Sequence, residues 1–255
     1  MSIRLSDLQT PTRFSVDFAG ASLRGDATQG KLGNVLLLHG AGASARNKFT
    51  ILRHALETRG VGMTCFDCIG HGETGGEMSA SSLASRTLQA EAVIAARRLP
   101  APLALVGFSM GAYNAIKLAE RHEVASLILI VPGVYTPSAY TLPFGPPFSA
   151  EIRRERSWED SDAWEILRRF CGRLLVIAAG NDAVIPREIP ERLVASAVNA
   201  QWRRLLVVPE TEHRHLFAPL LERPEEFDEA MALIAHCLHF SSSPGSRGAG
   251  ARHWR

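Results

Sequence analysis

Residues 104–115 read Ala-Leu-Val-Gly-Phe-Ser-Met-Gly-Ala-Tyr-Asn-Ala. An apolar run of strand length, ending at Val106, passes here into a run with helical spacing, and Ser109 stands between Gly107 and Gly111 at the junction. Gly and Ser are ordinary turn residues, so a tight turn is one interpretation. The other is a nucleophile, because a strand, a sharp turn of small residues and a helix expose a serine oxygen at one edge of a sheet.

Five further apolar runs of strand length recur along the chain, and segments with helical spacing lie between them. The six runs are 34–38, 61–66, 103–106, 126–131, 173–177 and 204–208. Their hydrophobicity does not alternate, which indicates strands covered on both faces, as in a parallel sheet flanked by helices. Residues 14–18 and 21–24 surround Gly20 and predict an antiparallel hairpin that leads into the sheet. The pattern predicts an α/β fold with a mostly parallel central sheet.

The segment at about residues 132–160 interrupts this rhythm with five prolines and a group of aromatic residues. A long loop inside a compact domain is most often a lid or cap, so we predict a short cap insertion here. Its aromatic side chains would suit an apolar group in a binding pocket, and they are Tyr135, Tyr140, Phe144 and Phe148. The basic run at 153–156 is offset by neighbouring glutamates and predicts a solvated cap helix.

Charge and composition exclude several classes of function. The chain has 28 Lys and Arg residues and 26 Asp and Glu residues, so its net charge is +2. A charge this small would not by itself attract nucleic acid or an anionic membrane. Residues 1–14 lack the apolar core of a signal peptide, and no apolar run approaches the roughly 18 residues of a membrane span. We therefore expect a cytoplasmic protein with no membrane span and a small-molecule partner.

Two other features bear on the organisation of the chain. Cys65 and Cys68 form a C-x-x-C pair without a second pair at zinc-ligand spacing, so we expect two ordinary thiols and no metal site. The Gly, Ser and Arg-rich stretch 241–255 has almost nothing to bury and predicts a disordered tail after a domain at 1–240.

Four more motifs accompany the glycine-bracketed serine. They are His39-Gly-Ala-Gly42, Phe66-Asp-Cys-Ile-Gly-His-Gly-Glu73, Ala179-Gly-Asn-Asp-Ala-Val-Ile-Pro186 and Pro209-Glu-Thr-Glu-His213. Together with Gly107-Phe-Ser-Met-Gly111 they resemble the α/β-hydrolase family over about residues 30–240. The resemblance implies the α/β-hydrolase fold and a catalytic triad in the chain order Ser109, Asp182, His213. It also implies an oxyanion hole formed by the backbone amides of Ala41 and Met110.

Each of these assignments has an alternative. Asp182 could be only an Asx-turn residue or a helix cap, and Asp160 and Asp162 are the reserve acids. His215 lies in the same loop as His213 and is the second candidate for the base. We expect His39 to shape its loop and Asp67 to hold a strand-end turn.

The resemblance implies a serine hydrolase that cleaves a carboxylic ester or thioester of a small to medium apolar acyl group without any cofactor or metal. The same triad also serves peptidases, carbon–carbon bond hydrolases, acyltransferases, lyases and cyclases, and fold does not choose among them. A ligand-binding protein that keeps the pocket but does not turn over is the alternative from another class.

Overall fold

A single sheet of eight strands forms the centre of the structure, a computed structural model that describes residues 9–238. The strands lie in the order β1-β2-β4-β3-β5-β6-β7-β8. They are β1 (Thr12–Phe18), β2 (Ala21–Ala27), β3 (Gly33–Leu38), β4 (Val61–Phe66), β5 (Leu103–Phe108), β6 (Val124–Ile130), β7 (Arg173–Ala179) and β8 (Trp202–Val208). β1 pairs with β2, and β2 with β4, in antiparallel fashion, and all the other pairs are parallel. The predicted mostly parallel sheet with an N-terminal hairpin is confirmed.

Residues 9–238 form seven α-helices, most of which pack against the sheet. They are α1 (Thr50–Glu57), α2 (Leu83–Arg97), α3 (Met110–Arg121), α4 (Pro146–Ile152), α5 (Ala163–Arg169), α6 (Glu188–Ser196) and α7 (Pro224–Cys237). Successive strand residues point to opposite faces, so Leu174 and Val176 join the core under α2, α3, α5 and α6, whereas Leu175 and Ile177 join the core under α1 and α7. Burial on both faces explains why the strand runs are continuously apolar. No helix between residues 9 and 238 is long and apolar enough to cross a membrane.

The segment between β6 and β7 contains one short 3-10 turn at Pro137–Ala139 and the helices α4 and α5. The predicted helix over the basic run is wrong, because α4 ends at Ile152 and residues 153–160 form successive turns. Arg156 adopts a φ of 50°, and the Ser157 hydroxyl donates to the carbonyl of Ile152, which satisfies the end of the helix. The role of this segment as a cap stays a prediction. The predicted disordered tail, 241–255, lies outside the described residues.

The four cysteines separate into three buried thiols and one exposed thiol. Burial raises the pKa of Cys65 to about 11 and that of Cys237 to about 12, and it also raises the pKa of Cys68. Cys171 is exposed, and all four are free thiols. A thiolate is the reactive form of cysteine. We therefore expect iodoacetamide at pH 8 to alkylate Cys171 in the native protein and to spare the other three, as mass spectrometry of the digested product will measure.

The control for this alkylation is Cys171→Ser, which should take up no label until the protein is unfolded. Rapid native labelling of Cys65 or Cys68 would contradict the expectation and would reopen a redox role for the C-x-x-C pair.

Candidate active site

Ser109 occupies a sharp turn between β5, which ends one residue before it, and α3, which begins one residue after it. Its backbone lies at φ 53° and ψ −116°, a region that L side chains rarely adopt and that functional sites stabilise through their surroundings. A Cβ at Gly107 would collide with Ala112, and one at Gly111 would collide with the carbonyl oxygen of Leu38. The two glycines are therefore needed for α3 to approach β5 and β3 closely.

Three side chains from separate loops converge at this turn. The Oγ of Ser109 lies 2.9 Å from Nε2 of His213, and Nδ1 of His213 lies 2.9 Å from Oδ2 of Asp182. An ionised carboxylate only accepts hydrogen bonds, so this network assigns the proton of the neutral imidazole to Nδ1. Nε2 then accepts the hydrogen bond from the Ser109 hydroxyl. The structure therefore brings together the three residues that the sequence analysis named.

Asp182 is held ionised by several donors at once. Burial alone would raise its pKa, but the hydrogen bonds from His213 and from the backbone amides of Ile185 and Val184 lower the pKa below its ordinary value. Those two amides donate to Oδ1 at 2.9 and 2.8 Å, while His213 uses Oδ2. The Asx-turn interpretation and the pairing with His213 are thus both true, because each uses a different carboxylate oxygen.

Backbone hydrogen bonds connect the loop that carries Asp182 to the loop that carries His213. The amide of Gly180 donates to the carbonyl of Val208 at 2.8 Å, and that of Asn181 donates to Thr211 at 2.9 Å. β7 and β8 pair in parallel up to their last residues, so both loops leave the same edge of the sheet. The distance between the two functional side chains is consequently set by main-chain contacts.

The alternative residues lie elsewhere. The side chain of His215 is 68% exposed and its nearest carboxylate is Glu212 at 3.8 Å, whereas the side chain of His213 is 11% exposed. Asp160 accepts a hydrogen bond from Thr136, and Asp162 accepts from the Tyr113 hydroxyl at 2.6 Å. Neither reserve acid contacts either histidine.

The loop after β3 lies against the serine. A Cβ at Gly40 would come 3.1 Å from Cβ of Ser109. Neither the amide of Ala41 nor that of Met110 has a hydrogen-bond acceptor among residues 9–238, so both are available to an oxygen in the site. The first amides of a helix such as α3 have no partner within the helix, which makes Met110 a natural donor.

His39 organises this loop from the inside. Its Nε2 accepts from the backbone amide of Cys68 at 3.0 Å, and its Nδ1 lies 2.8 Å from the carbonyl of Gly40. Burial, followed by the charge of Arg86 and the proximity of His71, lowers its pKa well below the ordinary value, so the ring is neutral. Its position matches the expected shaping role rather than a direct contact with Ser109.

Asp67 also has a structural environment. Its carboxylate accepts from the backbone amides of Arg46 at 2.8 Å and Glu73 at 2.9 Å, and it forms a close ion pair with the Arg46 guanidinium. These contacts hold together the turn after β4, as the sequence predicted.

A cavity of about 1150 Å³ opens beside Ser109 and His213. Its walls come from the loop after β3, the segment between β6 and β7 and the loop after β8, and they include Tyr135, Phe144 and Phe148. Tyr140, which the sequence analysis grouped with these three, lies outside the walls. Its ring packs against that of Tyr113 on α3, with a centroid distance of 6.1 Å. Within residues 9–238, no three His, Cys, Asp or Glu side chains are grouped as metal ligands.

Arg86 is the neighbour of the site that the sequence analysis missed. It belongs to α2 and is 2% exposed, on the same helix face as the buried residues Leu83, Ala90 and Val93. A cation in the apolar stripe of an amphipathic helix is unusual. That position within the stripe is the signal by which the sequence could have revealed it.

Comparison with known proteins identifies the family of this chain. A sequence model described as the alpha/beta hydrolase family matches residues 35–173. Two uncharacterized proteins of Mycobacterium tuberculosis, from strains CDC 1551 / Oshkosh and H37Rv, are each 30% identical over 190 residues, which is 73% of this chain and 65% of each relative. The chain thus spans about two thirds of the length of the curated relatives it matches.

Similar solved structures include several hydrolases. Est1E from Butyrivibrio proteoclasticus, bound to ferulic acid, has a TM-score of 0.66 at 16% identity, over 87% of this chain and 99% of that one. An esterase from Exiguobacterium antarcticum has a TM-score of 0.67 at 19% identity, over 88% and 100%. The thioesterase domain from the curacin biosynthetic pathway has a TM-score of 0.63 at 16% identity, over 89% and 100%. At these identities the structural likeness concerns the fold, and with the match of the family model it means that the chain belongs to the alpha/beta hydrolase family.

Proposed function

We propose that this protein is a serine hydrolase that cleaves a carboxylic ester or thioester of a small to medium apolar acyl group through an acyl-enzyme intermediate. The observation that carries the proposal is the chain of two 2.9 Å contacts from Ser109 through His213 to Asp182. A serine hydroxyl becomes a useful nucleophile only when a neighbouring base removes its proton, and that base needs an oriented, stabilised cation.

In the first half of the proposed cycle, Oγ of Ser109 attacks the substrate carbonyl carbon while its proton passes to Nε2 of His213. The negative charge that develops on the carbonyl oxygen accepts hydrogen bonds from the amides of Ala41 and Met110. Asp182, held ionised by three hydrogen-bond donors, stabilises the imidazolium. His213 then gives the proton to the leaving oxygen or sulfur atom as its bond to the carbonyl carbon breaks.

In the second half, His213 removes a proton from a water molecule, which attacks the acyl group on Ser109. The second tetrahedral intermediate collapses, Ser109 regains its proton from His213 and the acid product leaves. An acyltransferase would differ only in the acceptor that replaces water, and a lyase or cyclase would use the same groups on another bond. A ligand-binding protein would use the cavity without the proton transfer.

A fluorophosphonate probe tests the proposal most directly, because it modifies only an activated serine. Rapid labelling of Ser109, together with hydrolysis of p-nitrophenyl esters, would support the hydrolase. No labelling of the folded protein would favour the ligand-binding alternative. Adding alcohol, amine and thiol acceptors to the ester assay separates acyl transfer from hydrolysis, since only transfer yields a new ester, amide or thioester.

The charges at the cavity guide the choice of substrates. Its walls carry three cationic side chains, those of Lys48, Arg153 and Arg214, but only one carboxylate, that of Glu77. None of the three cations forms an ion pair within residues 9–238. Such a rim attracts anionic groups, and the attraction weakens as salt screens it. Acyl thioesters with phosphorylated leaving groups therefore belong in the screen beside neutral esters, each at low and high ionic strength. A cytoplasmic location and a small-molecule partner remain part of this proposal.

The aromatic wall should set the preference for acyl length. Phe148 is buried, with its ring 4.9 Å from that of Phe144 and 6.0 Å from that of Tyr135. Phe148→Ala should open the cavity and raise kcat/KM for long relative to short acyl chains at least about fivefold, since each methylene in an apolar pocket is worth about 1 kcal/mol or more. The measurement is kcat/KM across p-nitrophenyl esters of graded length.

Tyr140→Ala is the matched control, because Tyr140 belongs to the same segment but lies outside the cavity walls. Phe148→Ala also loses core packing, and we expect its free energy of unfolding to fall by about 3 kcal/mol. Its thermal midpoint should therefore be measured beside its activity. An unchanged order of chain lengths in folded Phe148→Ala would show that the acyl group binds elsewhere.

A further inference from the structure

The guanidinium of Arg86 is a buried charge with no carboxylate partner in the described part of the chain, residues 9–238. Arg86 is 2% exposed, and its contacts within residues 9–238 are to carbonyl oxygens, a thioether, a neutral imidazole and the thiol of Cys68. The other buried cations, Arg46 and Lys117, each pair with two or more carboxylates. Because an uncompensated buried charge costs several kcal/mol, such a group is retained only where something offsets it.

The contacts of Arg86 lead to both of the proposed oxyanion donors. Its Nη2 donates to the carbonyl oxygen of His39 at 2.7 Å and to that of Gly40 at 3.0 Å. Its Nη1 lies 3.0 Å from Sδ of Met110. One donor in the site is the amide that follows Gly40, and the other is the amide of Met110 itself. The guanidinium thus lies behind the two amides that would donate hydrogen bonds to the oxyanion.

Peptide geometry turns these contacts into a positioning effect. The Gly40–Ala41 peptide is trans, so its carbonyl and its N–H point in opposite directions. Arg86 and Nδ1 of His39 both bind that carbonyl from the interior side. The N–H of Ala41 therefore points away from α2, toward the cavity, and hydrogen bonds to the carbonyl of a peptide strengthen its N–H as a donor.

We propose that Arg86 is a positioning residue for the oxyanion site: it holds the loop after β3 with the Ala41 amide turned toward Ser109, and its charge stabilises the oxyanion of each tetrahedral intermediate. This inference rests on the proposed function and adds a residue to it. In the resting protein no carboxylate among residues 9–238 offsets the charge, whereas an oxyanion across the loop supplies the missing negative charge. The interaction is strongest in the transition state, which is what raises kcat.

The test compares Arg86→Met, which removes the charge and keeps much of the volume, with Arg86→Lys, which keeps the charge. We expect Arg86→Met to lower kcat for a neutral p-nitrophenyl ester at least about tenfold, in the range for weakened oxyanion donors, with KM within about threefold. Its affinity for an alkyl boronic acid, which forms a tetrahedral anionic adduct with Ser109, should fall by a similar factor. Arg86→Lys should recover most of both losses.

Arg173→Met is the matched control. Arg173 opens β7 at the opposite edge of the sheet, donates to the carbonyl of His236 at 3.1 Å and stacks over Trp202. The Arg173→Met variant should be less stable than wild type but should have the same kcat and the same boronate affinity. A purely structural role for Arg86 would give this same pattern, so the boronate measurement separates the two.

Three outcomes would overturn the inference. The first is a folded Arg86→Met whose kcat and boronate affinity are within twofold of wild type, and the second is an Arg86→Met in which KM rises while kcat is unchanged. The third is an Arg86→Lys that is as slow as Arg86→Met. If Arg86→Met does not fold, Arg86→Gln replaces it in the test. An Arg86→Gln with the same kcat as Arg86→Lys would contradict the proposed role of the charge. Wild-type protein that neither hydrolyses esters nor labels with fluorophosphonate would refute the proposed function itself, and the inference with it.

Discussion

Ser109→Ala should abolish ester turnover, with kcat falling by about 10⁶-fold, the loss found when the nucleophile of such a triad is removed. Among residues 9–238 the only hydrogen-bond partner of the hydroxyl is Nε2 of His213 at 2.9 Å, so its removal should leave the backbone turn and the surrounding core unchanged. The thermal midpoint should therefore change little. Steady-state kinetics on p-nitrophenyl esters and labelling with a fluorophosphonate measure the effect, and the variant should lose both signals together.

Ser126→Ala is the control for Ser109→Ala. Ser126 is a buried serine near the start of β6, where its hydroxyl donates to the carbonyl of Cys237 at 2.7 Å. Its replacement should cost about 1 kcal/mol of stability through the lost hydrogen bond and should leave kcat unchanged. If Ser109→Ala kept a tenth or more of the wild-type rate, the nucleophile would have to be another group and the acyl-enzyme mechanism would be wrong.

His213→Ala should lower kcat by about 10⁴- to 10⁶-fold, whereas His215→Ala should change it by no more than about twofold. Both histidines lie in the loop after β8, but only His213 contacts both Ser109 and Asp182. His215 is 68% exposed and has no contact with either. The pair is a matched comparison because the two substitutions remove the same ring from the same loop.

Asp182→Asn completes this series with an expected loss of about 10⁴-fold in kcat, because an amide in place of the carboxylate favours the wrong imidazole tautomer. Asp160→Asn and Asp162→Asn should retain full activity, since those carboxylates bind Thr136, Tyr113 and Lys117 rather than a histidine. A severe loss in His215→Ala with little in Asp182→Asn would reverse the assignment of the base and the acid.

Much of the fold was accessible from the sequence. Continuous apolar runs predicted parallel strands buried on both faces, and each of the six predicted runs matches a strand of the sheet to within two residues at both ends. The glycines around Ser109 predicted the strand-to-helix turn, since only small residues permit that close approach. The motifs also predicted the family, and the matching family model confirms it.

The members of the candidate site differed in how well they could be predicted. Asp182 and His213 follow the ends of β7 and β8, and parallel strands deliver their carboxyl ends to one edge, so their convergence on Ser109 was expected. The choice of His213 over His215 rested on motif spacing alone, and the geometry favours the same residue. Tyr140 was grouped with its aromatic neighbours because composition does not tell which way a ring in an irregular segment points. Their catalytic and binding roles stay predictions.

The sequence by itself determined the order and type of the elements, because hydrophobic periodicity and turn chemistry are local properties. Only the tertiary structure decided which polar groups meet across elements: Arg86 is buried against the carbonyls of His39 and Gly40, and Lys48, Arg153 and Arg214 line one cavity. Arg86 is 46 positions from Gly40 and 47 from His39 in the chain, and its contacts with them depend on helix rotation and loop direction. Such quantities are fixed by packing of the whole chain, which no local pattern encodes.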